Sequence, residues 1–150
     1  MDAKQLVQAA LQARKMAYTP YSGFKVGAAL LTKDGKIYRG CNIENAAYSP
    51  TNCAERTAFF KAVSEGEREF EAIAIVGFKD ADTPEEKIVA GREPGPEDYA
   101  FPCGVCRQVM REFTDPEEFR IIVAADEEHY KLCTLAQLLP DSFGPANLHD

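Results

Sequence analysis

The stretch FEAIAIVGF, residues 70–78, limits most sharply what this chain can fold into. It is nearly all apolar, has the length of a strand, and lacks the polar–apolar alternation of a strand with one face in water. Such a run predicts a central strand covered on both faces. FRIIVAA (119–125) is a second run of the same kind. Around them lie helical signals. Asp2 with Gln5 reads as a capping box, followed by Leu6, Ala9, Ala10, Ala13 and Ala17 at helical spacing up to Pro20. FKVGAALL (24–31), the turn TKDGK (32–36) and IYRGCN (37–42) predict a hairpin with Asp34-Gly35 at its tip. CAERTAFFKAVSE (53–65) is helical after Pro50-Thr51, with Phe59, Phe60 and Val63 expected inward. PCGVCRQVMREF (102–113) opens another helix, and TLAQLLP (134–140) forms a short closing one. The order α-β-β-α-β-α-β, with room for one further strand before the last helix, places the chain in the α/β class. The expected architecture is a three-layer α/β/α sandwich around a mixed five-stranded sheet.

A chain of 150 residues, 45% hydrophobic, suffices for one core and is short for two, so residues 1–150 are expected to form a single domain. Residues 79–101 are polar and rich in Pro, Gly and acid, and read as an extended loop longer than the usual connection. The formal charge of −7, without any Lys/Arg cluster, speaks against a nucleic-acid binder. No segment approaches the roughly 20 apolar residues of a membrane span, and MDAKQLVQAALQARKMAY lacks the apolar core of a signal peptide. A cytoplasmic protein is expected, in which the five cysteines stay reduced and metal or catalytic roles rank above disulfides.

The chemistry concentrates in two blocks. In TNCAERTAFF, Cys53, Glu55 and Arg56 crowd the start of a helix, where core packing has no use for them. In PCGVC, Cys103 and Cys106 form a CxxC at another helix start. Unpaired backbone N–H groups in a first turn favour thiolate over thiol. Three such thiolates could converge on Zn²⁺, leaving the fourth position open as catalytic sites do. Glu55, two residues beyond Cys53, would then sit beside that open position, able to take a proton and return it to a substrate nitrogen.

C-A-E followed downstream by P-C-x-x-C resembles the signature of the zinc-dependent cytidine deaminases. YSGFKVGAALL, GCNIENAAYS, NCAERTA, PCGVCRQ and LLPDSFGP all resemble the small homotetrameric members, so the likeness covers nearly the whole chain outside Lys79–Ala100. It implies a cytidine deaminase-like fold and one Zn²⁺ per subunit held by Cys53, Cys103 and Cys106, with Glu55 as proton shuttle. It further implies that Asn42 and Glu44 hold the ribose 3′-hydroxyl, that Phe24 lies against the pyrimidine, and that the Ala54 backbone binds the base carbonyl. Phe143 matches an aromatic that a neighbouring subunit inserts over the site, which implies a homotetramer with shared active sites. The implied reaction is hydrolysis of cytidine and 2′-deoxycytidine to uridine and 2′-deoxyuridine plus ammonia, in pyrimidine salvage. Three thiolates overbalance the two charges of Zn²⁺, and the Arg56 guanidinium is suited to offset the excess by donating to sulfur.

Other readings of the same residues exist. A CxxC alone fits a redox dithiol but explains neither Cys53 nor Glu55. Cys41 or Cys133 could close a four-cysteine structural site, which would make the chain a zinc-stabilised binding module. His129 and His149 read as solvated surface residues. The loop length, and Phe101 where the resembling enzymes commonly carry a small hydroxyl residue, bear on substrate choice, with an aminonucleoside antibiotic such as blasticidin S as the alternative to cytidine. A carboxylate at Glu44 argues for a nucleoside over a nucleotide, because it would repel a nearby phosphate.

Overall fold

The computed structural model describes residues 1–79 and 93–148; most of the expected loop, and His149, lie outside them. Helix α1 (Ala3–Arg14) starts where the Asp2 side chain accepts from the Gln5 backbone N–H at 3.2 Å. It ends well before Pro20, against expectation. Beyond Lys15 the backbone is claimed by another partner: Tyr18 donates to the Asn42 carbonyl at 3.0 Å and accepts from the Glu44 N–H at 2.9 Å. Arg14, at the helix end, lays its guanidinium over the Phe78 ring, 3.4 Å from the centroid. It also donates to the carbonyls of Lys25 (3.0 Å) and Phe78 (2.6 Å).

Strands β1 (Phe24–Thr32), β2 (Ile37–Cys41), β3 (Phe70–Lys79), β4 (Arg120–Ala124) and β5 (Tyr130–Thr134) form one sheet in the order β2-β1-β3-β4-β5. Only β3 and β4 run parallel; the other neighbouring pairs are antiparallel. The expected mixed five-stranded sheet is present, and β3, its middle strand, is the run from which the two-sided covering was inferred. On β3, Ala72, Ala74 and Val76 pack with Leu6, Val7 and Ala10 of α1, while Ile73 and Ile75 face the other layer. That layer holds α2 (Ala54–Ser64) and α3 (Gly104–Phe113), with the short α4 (Leu135–Leu138) at its edge.

Two strand glycines set how closely the helices approach. A Cβ on Gly27 would lie 2.0 Å from the Ala10 carbonyl oxygen, and one on Gly40 would lie 2.4 Å from the Ala54 oxygen and 2.5 Å from the Ala58 nitrogen. Only hydrogen at these positions lets α1 and α2 sit directly on the sheet. Phe59 is fully buried and anchors α2, with ring centroids 5.1, 6.2 and 5.9 Å from those of Phe70, Phe113 and Phe119. Phe60 does not point inward as expected and is 48% exposed. One helical step of about 100° separates it from Phe59, and the inward stripe is completed by Ala54, Ala58 and Ala62 instead. Among the described residues, no helix is long and apolar enough to cross a membrane.

Candidate metal centre and substrate site

Helices α2 and α3 each begin at a cysteine. Cys53 and Cys103 are the N-cap residues, both in extended conformation, and Cys106 lies in the first turn of α3. The Sγ atoms of Cys53, Cys103 and Cys106 all lie within 4.8 Å of one another, and Cys53 and Cys103 are 3.8 Å apart. Four ligands at about 2.3 Å around a tetrahedral zinc ion stand about 3.8 Å from each other, the separation of Cys53 and Cys103, and Cys106 lies close enough to serve as a third corner. Cys106 is buried, Cys53 half-buried and Cys103 exposed, so the cluster opens on one side. Neither Cys41, at the end of β2, nor Cys133, on β5 with Sγ against the Ile121 carbonyl, joins the group. The closed four-cysteine alternative therefore finds no fourth thiol.

Local hydrogen bonds place Cys53. Ile43 and Asn52 form a two-bond antiparallel bridge, each N–H donating at 2.9 Å, which closes the 43–52 loop and delivers the chain to the helix start. The Asn52 side chain then donates to Thr57 Oγ (3.1 Å), whose hydroxyl donates to the Cys53 carbonyl (3.2 Å). At Cys103, Sγ accepts from the Cys106 N–H at 3.5 Å.

Arg56 Nη2 donates to Cys53 Sγ at 3.3 Å, and Arg56 Nε is buried without a protein partner. The Cys53 thiol is pulled down to about 5 by the hydrogen bond with Cys106 and by Arg56, whereas Cys106 is pushed up as the proton-holding member of that pair. Burial opposes the charge on Arg56, but its hydrogen bonds to Cys53 and Cys106 more than compensate and raise it. Glu55 is 4% exposed, and its burial pushes its carboxyl up to about 7. Three soft sulfurs, that of Cys53 held anionic beside the Arg56 cation, with a protonatable carboxyl two residues on, suit Zn²⁺.

Of the expected substrate residues, Phe24, Asn42 and Glu44 lie on the β1–β2 side, whereas Ala54 starts α2 and Phe143 lies against α3. Asn42 donates from Nδ2 to the Phe24 carbonyl and accepts at Oδ1 from the Val26 N–H, both at 2.8 Å, leaving one N–H and one acceptor lone pair for another partner. Glu44 accepts from the backbone N–H groups of Tyr21 (3.0 Å) and Ser22 (3.1 Å) and from the Ser22 hydroxyl. The Ser22 bonds hold its carboxyl below the usual range. Ala54 is fully buried at the start of α2. Phe143 is 60% exposed, its carbonyl accepting from Gln108 Nε2 at 2.9 Å. His129 lies at the surface as expected and does not join the thiols; its ring nitrogens also meet Asp126 (2.9 Å) and Glu93 (3.2 Å).

Several contributors escaped the sequence reading. A Cβ on Gly77 would lie 3.0 Å from the Phe24 ring, 2.9 Å from Val26 and 3.1 Å from Ala100, so Gly77 makes the room that Phe24 occupies. An isolated glycine within an otherwise apolar strand was the available signal. Asn52 and Thr57 carried no signal, since polar residues near a helix start are ordinary.

A model of the cytidine and deoxycytidylate deaminase zinc-binding region matches residues 1–123. Cytidine deaminase from Sporosarcina psychrophila is 48% identical over 148 residues, 99% of this chain and 96% of its own. That of Halalkalibacterium halodurans is 47% identical over 150 residues, the full length of both. The crystal structure of cytidine deaminase from Burkholderia pseudomallei superposes with a TM-score of 0.78 at 44% identity, covering 95% of this chain and 100% of that one. The Mycobacterium tuberculosis enzyme does so with a TM-score of 0.73 at 35% identity, covering 96% and 98%.

Proposed function

The chain belongs to the cytidine and deoxycytidylate deaminase zinc-binding family, and from that premise we propose that it hydrolyses cytidine and 2′-deoxycytidine to the corresponding uridines plus ammonia. The observation that carries this is the placement of a buried, protonatable Glu55 two residues beyond one member of a thiol triad gathered closely enough to hold a metal ion. Cys53, Cys103 and Cys106 would hold Zn²⁺, which when bound would supply Lewis acidity towards a water molecule. Glu55 manages the protons. With its carboxyl near neutrality it can take one from water, give it to the ring N3, and later pass one to the departing amino group. One water is consumed, the C4–N bond breaks, and a C4 carbonyl and ammonia result. Arg56 keeps the sulfurs anionic through its hydrogen bonds to them.

Phe24, held against Gly77, offers its ring to the pyrimidine, and the N–H left on Asn42 together with the Glu44 carboxylate serves the ribose 3′-hydroxyl. The Ala54 backbone receives the base carbonyl at the first turn of α2. The working form is a homotetramer with shared sites, a reading supported by the large side chains Tyr48, Phe60 and Phe143 left exposed. A role in pyrimidine salvage follows from the chemistry. A cytoplasmic setting agrees with five free cysteines. The test is the absorbance loss when purified protein meets cytidine, with uridine and ammonia as products. Absence of both at high enzyme concentration overturns the proposal, and turnover of blasticidin S alone moves the substrate to the aminonucleoside antibiotics.

A further inference from the structure

We propose that Gln108 and Arg111 are positioning residues for the reaction: they fasten residues 142–144 to α3 so that the Phe143 ring is presented already ordered to the active site of a neighbouring copy. The proposal rests on the shared-site reading above. Its basis is a set of contacts along one helix. Arg107 donates from Nε to the Pro102 carbonyl (2.7 Å) and from Nη1 to the Leu138 carbonyl (2.6 Å). One residue on, Gln108 donates to the Phe143 carbonyl at 2.9 Å; one turn beyond Arg107, Arg111 Nε donates to Ser142 Oγ at 2.9 Å. Gly144 completes the clasp, because a Cβ there would lie 2.4 Å from Arg111 Cζ. The strap is held at its backbone and at Ser142 while the Phe143 ring stays 60% exposed.

An aromatic group in that state is poorly explained by the packing of its own subunit. Its burial has not been achieved, yet the chain carrying it has been ordered at several points. Ordering in advance lowers the entropy lost when the ring meets a partner, so affinity gains without any new contact. Arg107 also links the Leu138 carbonyl, four residues ahead of the strap, to Pro102, the residue before Cys103. The segment offered to the neighbour is therefore mounted on the same helix that carries two of the subunit's own metal ligands.

The experiment uses Arg111→Met, which keeps the stem and removes the donor, and Gly144→Ala, which displaces the flexible guanidinium without pressing on backbone. Both are expected to raise KM for cytidine about tenfold, the lower range for loss of a base–aromatic stack, with kcat changed less than about twofold. Arg111→Lys, which can still donate to Ser142, is expected to recover much of the low KM. An unchanged KM in Arg111→Met and Gly144→Ala overturns the proposal. Hybrids co-expressed with Glu55→Gln subunits separate the two layers of the argument. In them a live site bordered by an intact strap is expected to regain the low KM, for Arg111→Met and for Phe143→Ala alike. If only the Phe143→Ala hybrid recovers, the clasp proposal fails while shared sites stand. If neither recovers, the shared-site reading fails and the proposal with it.

Discussion

Replacing Glu55 with Gln tests the proton shuttle and the energetics of the buried site in one variant. Gln has nearly the shape of Glu, so the 4% exposed position keeps its packing while losing the ability to ionise. General acid–base catalysis contributes about 10²- to 10⁴-fold, so turnover should fall by at least that factor while the zinc content of the purified protein is unchanged. The metal-free protein supplies a second number. Burial raises the Glu55 carboxyl from 4.5 to about 7, so ionising it in the folded state costs about 3 kcal/mol more than in the unfolded chain. This is a raised folded-state value. The stability it confers is fully present below about pH 4 and is lost as pH climbs towards 7 and beyond. Glu55→Gln has no such loss. At pH 8 the metal-free variant should therefore melt about 6–12 °C above the metal-free parent, and the gap should close near pH 4. Scanning calorimetry at matched subunit concentration measures it. Parallel melting curves across that pH range would refute the burial argument, and turnover within tenfold of the parent would remove Glu55 from its role.

Gly40→Ala would drive a methyl group into the Ala54 and Ala58 backbone, which cannot move aside as a side chain tip can. A loss of about 3 kcal/mol or more is expected in a denaturant titration, with reduced zinc content because α2 carries Cys53 at its start. Phe59→Ala removes the fully buried ring among Phe70, Phe113 and Phe119 and should cost about 3–5 kcal/mol, whereas Phe60→Ala should leave the subunit's own unfolding midpoint nearly unchanged. Arg56→Gln withdraws the donor to Cys53 and should speed zinc release to a chromogenic chelator about 10- to 100-fold. Equal release rates would show that the guanidinium does not stabilise the thiolates.

The sheet was legible because apolar run length is a one-dimensional signal. FEAIAIVGF announced a strand covered on both faces, and β3 is the strand with neighbours on either side and a helical layer on each face. The metal centre was legible because thiols and a carboxylate at two helix starts have no packing purpose. What stayed hidden depends on contacts between distant segments. Phe60 reads as core by type, and only the phase of α2 set by Gly40 and Phe59 turns it outward. The end of α1 was misplaced because Tyr18 finds backbone partners at Asn42 and Glu44, a pairing that no local pattern encodes. The Arg111 clasp is invisible for the same reason, since arginines on a helix surface are usually just solvated.

The charges around Glu55 bear on why its carboxyl lies near neutrality. Three thiolates on one Zn²⁺ would require compensation, which the ion and the Arg56 guanidinium together would supply in full. The partial positive ends of α2 and α3 add to this balance at the two N-cap cysteines. No further cation is hydrogen-bonded to Glu55 among the described residues, and burial holds its carboxyl near neutrality instead of deep in the ionised range. A carboxylate paired with arginine would be a poor proton donor at neutral pH, and an exposed one would have its ordinary acidity. The CAER sequence places Arg56 beside Glu55, yet the fold directs the guanidinium's hydrogen bond to the Cys53 sulfur. That division, metal compensation by one side chain and proton transfer by its neighbour, is the role we propose for the first turn of α2.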